Sequence, residues 1–185
     1  MCITEYLHST YLFNFSIRIQ SMKTLYIIRH AKSSWEHEDL HDLERPLTER
    51  GKKNALLMGE VLRKYEAFPD EVISSPALRA VSTTRILCEE LGFDSNKMLI
   101  EPDLYFREVE DIIQVLHKRQ SRPDKIFIAG HNPAFTNLAN ALIPGFTEMI
   151  PTCGVVAVHF NIESWGLLQI GGGQLAFFEY PKKFR

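Results

Sequence analysis

The sequence predicts an α/β domain built on a buried, mostly parallel sheet. Two uncharged runs carry that expectation, Thr24-Leu25-Tyr26-Ile27-Ile28 and Ile126-Phe127-Ile128-Ala129. Strands covered by helices on both faces read as continuous apolar runs rather than alternating ones. Each run ends in a polar pair, Arg29-His30 or Gly130-His131, and helical periodicity fills much of the chain between them. With 185 residues and 45% hydrophobic content, the chain has the length of one domain with a sizeable core.

In chain order, residues 1–21 are rich in Tyr, Phe, Leu and Ile but lack the basic start, continuous apolar centre and cleavage site of a secretory signal. Met22 stands directly before the first strand. Residues 1–21 are therefore expected to be an extension, non-native or disordered, and 22–185 the domain. The first strand is followed by a polar loop, Lys32 to Arg45, with Glu36, His37, Glu38, Asp39, His41, Asp42 and Glu44. No regular element fixes His37 and His41 as a ligand pair, so no metal is expected.

Thr48 is the expected N-cap of a helix that places Ala55, Met58, Leu62 and Tyr65 on one face. Glu71 to Ser74 reads as a second strand. Ser75 and Pro76 then suit the cap and first position of a helix with Leu78, Val81, Cys88 and Leu91 inward and Gly92 as its stop. Met98 to Glu101 reads as a third strand, and Glu108 to Arg119 as a helix with Val109, Ile112, Ile113 and Leu116 inward. After Lys125–Ala129, Asn132 and Pro133 suit the start of a helix carrying Phe135, Leu138, Ala139 and Leu142. Val155 to Phe160 and Gln174 to Tyr180, joined by a loop-like stretch without a helix, read as an antiparallel pair at one side of the sheet.

Twenty-one basic against 23 acidic residues leave a formal net charge of −2, which argues against nucleic acid as a partner. Cys2, Cys88 and Cys153 are too scattered for a disulfide framework or a metal site, and Cys88 and Cys153 suit the core. No apolar run approaches the ~20 residues that span a bilayer. A cytoplasmic protein, monomeric or weakly dimeric through an exposed edge strand, is the expectation.

Parallel strands gather their carboxyl ends at one edge, where α/β sheets bind ligands. There Arg29 and His30, Arg79 and His131 converge. Arg79 falls in the first turn of its helix, against the helix dipole, and a nearby anion explains that placement. Arginine forks match phosphate oxygens, while one imidazole can attack and the other donate a hydrogen bond.

Arg29-His30-Ala31, Ser75-Pro76-Ala77-Leu78-Arg79-Ala80 with Thr83, and Gly130-His131-Asn132-Pro133 resemble the ordered signatures of the histidine phosphatase superfamily. The Arg45-Pro46-Leu47-Thr48-Glu49-Arg50-Gly51 stretch and the short chain resemble its compact phosphohistidine phosphatase branch. The resemblance spans about residues 22–160 and implies a three-layer α/β/α sandwich, phosphoglycerate mutase-like, without metal or organic cofactor. It further implies His30 as nucleophile, Arg29 and Arg79 as the phosphate-binding arginines, and His131 completing the pocket.

Mutase and sugar-phosphatase relatives place a glutamate proton donor two residues beyond a leucine after the third strand. Here Leu104 puts Phe106 at that position, leaving Glu101, Asp103, Glu108 and Glu110 as candidate donors. An alkoxide leaves poorly without a donor, whereas phosphohistidine releases neutral imidazole. The short connection there leaves little chain for a lid and suits a protein-borne phosphoryl group. Trp35 and Phe106 are either an apolar rim for that partner or packed against the loop. The expected substrate is thus phosphohistidine on a protein, such as a phosphorelay domain. The alternatives are a small-molecule phosphomonoesterase and, from another class, a non-catalytic phosphate-binding protein.

Overall fold

The computed structural model describes residues 22–35, 39–119 and 122–184. Residues 1–21, His37 and Cys2 lie outside them, and with them the expected N-terminal extension. A six-stranded sheet runs in the order β3 (Leu99–Ile100), β2 (Glu71–Ser74), β4 (Lys125–Gly130), β1 (Met22–Arg29), β5 (Val155–Asn161), β6 (Gly173–Glu179). The first four are mutually parallel, while β5 runs antiparallel to both β1 and β6. The antiparallel pair therefore lies beside β1, as its lack of an intervening helix required.

Alternate β1 residues feed two cores. Leu25 and Ile27 pack with α3 (Val109–His117) and α4 (Ala134–Leu142); Tyr26 and Ile28 pack with α1 (Glu49–Lys64) and α2 (Leu78–Leu91). A strand buried on both faces needs apolar side chains at every position, which explains its unbroken pattern. The result is the three-layer α/β/α sandwich. No helix among the described residues is long and apolar enough to cross a membrane.

Several local expectations are corrected. The third strand is two residues long rather than Met98 to Glu101. In α1, Ala55, Met58 and Leu62 are buried, but Tyr65 is exposed past the helix end and stacks on Phe177 of β6, ring centroids 4.3 Å apart. In α2, Leu78 is exposed and Val81 only half-buried; Ala80, Thr83, Thr84 and Leu87 take the inner face. The threonines bury without penalty because their hydroxyls donate to carbonyls one turn back, Thr83 to Arg79 at 2.6 Å and Thr84 to Ala80 at 2.8 Å. The stretch expected as a loop between β5 and β6 sends Trp165 into the core, its indole N–H donating to the Pro123 carbonyl. Gly92 does close α2, at φ 70°.

Candidate active site

The floor of the site is the carboxyl end of β1. The His30 amide donates to the Gly130 carbonyl at the end of β4, and the Cys153 amide reaches the carbonyls of Arg29 and His30. Ala31 ties this floor to α2, its amide donating to Thr83 Oγ1 at 2.9 Å. The Ala31 carbonyl in turn receives His30 Nδ1 at 2.7 Å. A carbonyl only accepts, so Nδ1 carries the hydrogen and Nε2 of the neutral ring keeps its lone pair.

Arg29, His30, Arg79 and His131, expected to converge, line one open pocket of about 560 Å³. The two imidazoles lie with ring centroids 5.0 Å apart. Arg29 Nη1 donates to the Ile150 carbonyl at 2.8 Å, while its buried Nε has no partner among the described residues. His131 Nε2 lies 2.8 Å from Ser75 Oγ, and its buried Nδ1 likewise has no partner there. Ser75, expected as a helix cap, faces His131 because α2 starts only at Leu78, with Ala77 as an uncapped N-terminal residue. Asn132 is not a backbone cap either: its Nδ2 donates to the Ile150 carbonyl and its Oδ1 accepts from Thr136.

Sequence reasoning passed over Asp42. Its carboxylate accepts from Arg79 Nη2 at 2.8 Å, Arg45 Nη1 at 3.0 Å and the Tyr105 hydroxyl at 2.7 Å, and its carbonyl accepts from Arg79 Nη1. The available signal was its position three residues before Arg45 within an otherwise solvent-like loop. Arg45, at the end of that loop, is buried and also bonds Ser34 and Ser33. Its guanidinium covers the ring of Trp35, itself 77% exposed at the mouth. Phe106, 60% exposed at φ 48°, lines the same pocket and stacks on His131 at 5.5 Å. Both aromatics thus form a rim.

The candidate donors do not gather here. Glu101 faces Arg119 at 3.8 Å, and Asp103 pairs with Arg107 at 3.5 Å. Glu110 does not line the pocket. Glu108 lines a side cavity of about 190 Å³ that shares Phe106, His131 and Asn132 with the main pocket. Asp42 is the one carboxylate lining the main pocket among the described residues.

Burial pushes the His30 imidazolium down to about 4; Arg79, Arg29 and Arg45 act the same way, against the Ala31 hydrogen bond. Burial, with His30, Arg79 and Arg29, takes His131 down to about 3, against the opposing Asp42 charge. Burial alone would raise the Asp42 carboxyl, but the hydrogen bonds from Tyr105, Arg79 and Arg45 together hold it well below the ordinary carboxylate range. Both histidines are therefore neutral and Asp42 ionised at pH 7.

The family model described as Histidine phosphatase superfamily (branch 1) matches residues 25–112. A chloroplastic protein of Arabidopsis thaliana is 26% identical over 151 residues, which cover 77% of this chain and 69% of that protein. A protein of Mycobacterium tuberculosis is 28% identical over 165 residues, covering 84% of this chain and all of that one. The structure is similar to the protein histidine phosphatase SixA complexed with tungstate, with TM-score 0.76 and 23% identity, covering 88% of this chain and 99% of that one. Over residues 25–112 the chain is thus similar to the histidine phosphatase superfamily.

Proposed function

We propose that the protein is a phosphatase working through a phosphorylated His30, with phosphohistidine on a partner protein as its substrate. The observation that carries this reading is the state of Asp42. The one pocket carboxylate is held ionised by three donors, so it is a poor source of a proton for an alkoxide leaving group. A phosphohistidine ring protonated on its other nitrogen needs no such help, because it departs as neutral imidazole. The similarity in fold to a protein histidine phosphatase points the same way.

In the proposed step the His30 Nε2 lone pair attacks phosphorus in line. The Nε2–P bond forms as the substrate N–P bond breaks, and that electron pair stays on the leaving imidazole nitrogen. Arg29 and Arg79 meet the equatorial oxygens, so the step as written needs neither metal nor organic cofactor. The partnerless Arg29 Nε and His131 Nδ1 are hydrogen-bonding atoms that a phosphoryl group would satisfy. Water then attacks phospho-His30, the P–Nε2 pair returns to the ring, and phosphate leaves. The open mouth between Trp35 and Phe106 suits a phosphoryl group carried on a protein.

A small-molecule phosphomonoesterase is the second reading, favoured by the placement of Glu108 in the adjoining side cavity. Hydrolysis of a phosphohistidine peptide and of a panel of alkyl phosphates is the discriminating measurement, run on wild type, His30→Ala and Glu108→Gln. Preference for the peptide, lost by at least ~10³-fold in His30→Ala and retained in Glu108→Gln, is the expected result. Preference for an alkyl ester that Glu108→Gln abolishes would establish the second reading, and full activity in His30→Ala would sink both.

A further inference from the structure

Ser75 lies between β2 and α2, fully buried, with Oγ 2.8 Å from His131 Nε2. Its hydroxyl has one hydrogen to place. The Ala77 amide faces the same oxygen at 3.5 Å, but as a donor. Among the described residues, His131 Nε2 is the acceptor within the hydroxyl's reach, and a buried hydroxyl hydrogen left unpaired is costly. The Ser75 hydroxyl therefore donates to Nε2. In a neutral imidazole the hydrogen then sits on the other nitrogen. That nitrogen, Nδ1, is buried and partnerless in a ring that lines the same pocket as His30, Arg29 and Arg79.

We propose that Ser75 is a positioning residue that fixes neutral His131 as its Nδ1–H tautomer, so that an N–H and not a lone pair faces the phosphoryl group. The inference rests on the phosphoryl-transfer reading above. It makes His131 the opposite of His30, whose Nδ1–H is spent on Ala31 and whose Nε2 keeps the lone pair. One ring is set to give an electron pair and the other a hydrogen bond. The titratable and charged groups facing His131 are His30 and Arg29 from β1, Arg79 from α2, Asp42 from the turn before α1, and Tyr105 from the connection after β3. With burial, their balance keeps the ring uncharged. A neutral ring offers Nδ1–H only in the tautomer that Ser75 selects.

Removing the hydroxyl by Ser75→Ala frees the ring to place its hydrogen on Nε2 and turn a lone pair toward anionic oxygens. The N–H then returns only on protonation. Deleting one donor to a developing oxyanion typically costs ~10²–10³-fold in kcat; here the donor is loosened rather than deleted, so a loss of about 10–100-fold is expected at neutral pH. KM should change less than kcat. The deficit should hold from about pH 8 to about 5, where the ring stays neutral, and shrink only toward the His131 value of about 3, a dependence a merely structural change would not produce. Nitrogen-15 NMR of wild-type protein should show a protonated-type shift at His131 Nδ1 and a lone-pair type at Nε2, without reference to turnover. A lone-pair shift at Nδ1 in wild type, or a Ser75→Ala rate and pH profile equal to wild type, would overturn the proposal. Nδ1–H in a protein whose His30→Ala variant stays fully active would overturn the phosphatase reading while the tautomer assignment stood.

Discussion

At the scale of the residue, the site separates charge from reactivity. Three of its cations are arginines, and its imidazoles are kept neutral. In the proposed mechanism His30 must be neutral to attack, and its free-site value near 4 means that ordinary acidification would not silence it. An NMR titration of the His30 ring should find its midpoint near 4, not near the ordinary ~6.5. kcat/KM for an aryl phosphate, whose leaving group needs no proton, should lose its His30-dependent part only near that lower value. Asp42 plays the complementary part, as the counter-charge that lets Arg79 exist at 3% exposure. Asp42→Ala strands a buried guanidinium. Because the Asp42 side chain is 35% exposed, the loss should be about 2 kcal/mol, below the ~3–5 for breaking a fully buried pair, and a urea unfolding series measures it.

At the scale of the element, the first turn of α1 is fastened to the loop after β1. The Lys32 carbonyl accepts from both the amide and the hydroxyl of Thr48, at 2.9 and 3.1 Å, while Thr48 Oγ1 caps the Gly51 amide. A Cβ at Gly51 would sit 2.2 Å from that same carbonyl oxygen. Gly51→Ala should therefore push α1 away from the Lys32–Trp35 edge of the pocket. The expected cost is about 1–3 kcal/mol and a raised KM, read from thermal unfolding and steady-state kinetics. The Arg45–Gly51 run was legible as a motif, but its reason is this contact between distant backbones. Likewise the apolar runs announced β1 and β4 because both faces are covered, and His30, Arg79 and His131 followed from where parallel strands end. Asp42, Tyr105 and the Ile150 carbonyl were not legible. They reach the site from irregular chain, where no periodicity reports which way a group points. Ser75 was visible, but two outlets competed for its hydroxyl, and only the late start of α2 decides between them.

At the scale of the whole molecule, two neutral buried histidines tie folding to pH. Unfolding releases both rings to values near ~6.5, so between there and about 4 the unfolded chain binds more protons than the folded one. The sign follows: the stability is present above about pH 6.5 and is lost as pH falls toward 4. His30 alone accounts for about 3 kcal/mol of that change, and His131 adds in the same direction. Unfolding midpoints measured across this range should drop on acidification, and His30→Gln should flatten the slope. The Ile150–Gly154 stretch between α4 and β5 has a consequence of another kind. Its Cys153 amide closes on Arg29 and His30, and its Ile150 carbonyl holds both Arg29 and Asn132. The floor of the pocket is thus stitched into the central strands, so its amides should exchange with solvent deuterium as slowly as those of β1 and β4, opening only when the protein unfolds globally. Faster exchange should be confined to the aromatic mouth. Adaptation to differently shaped clients would then be a matter for the mouth alone, with the chemistry below it fixed by the sheet.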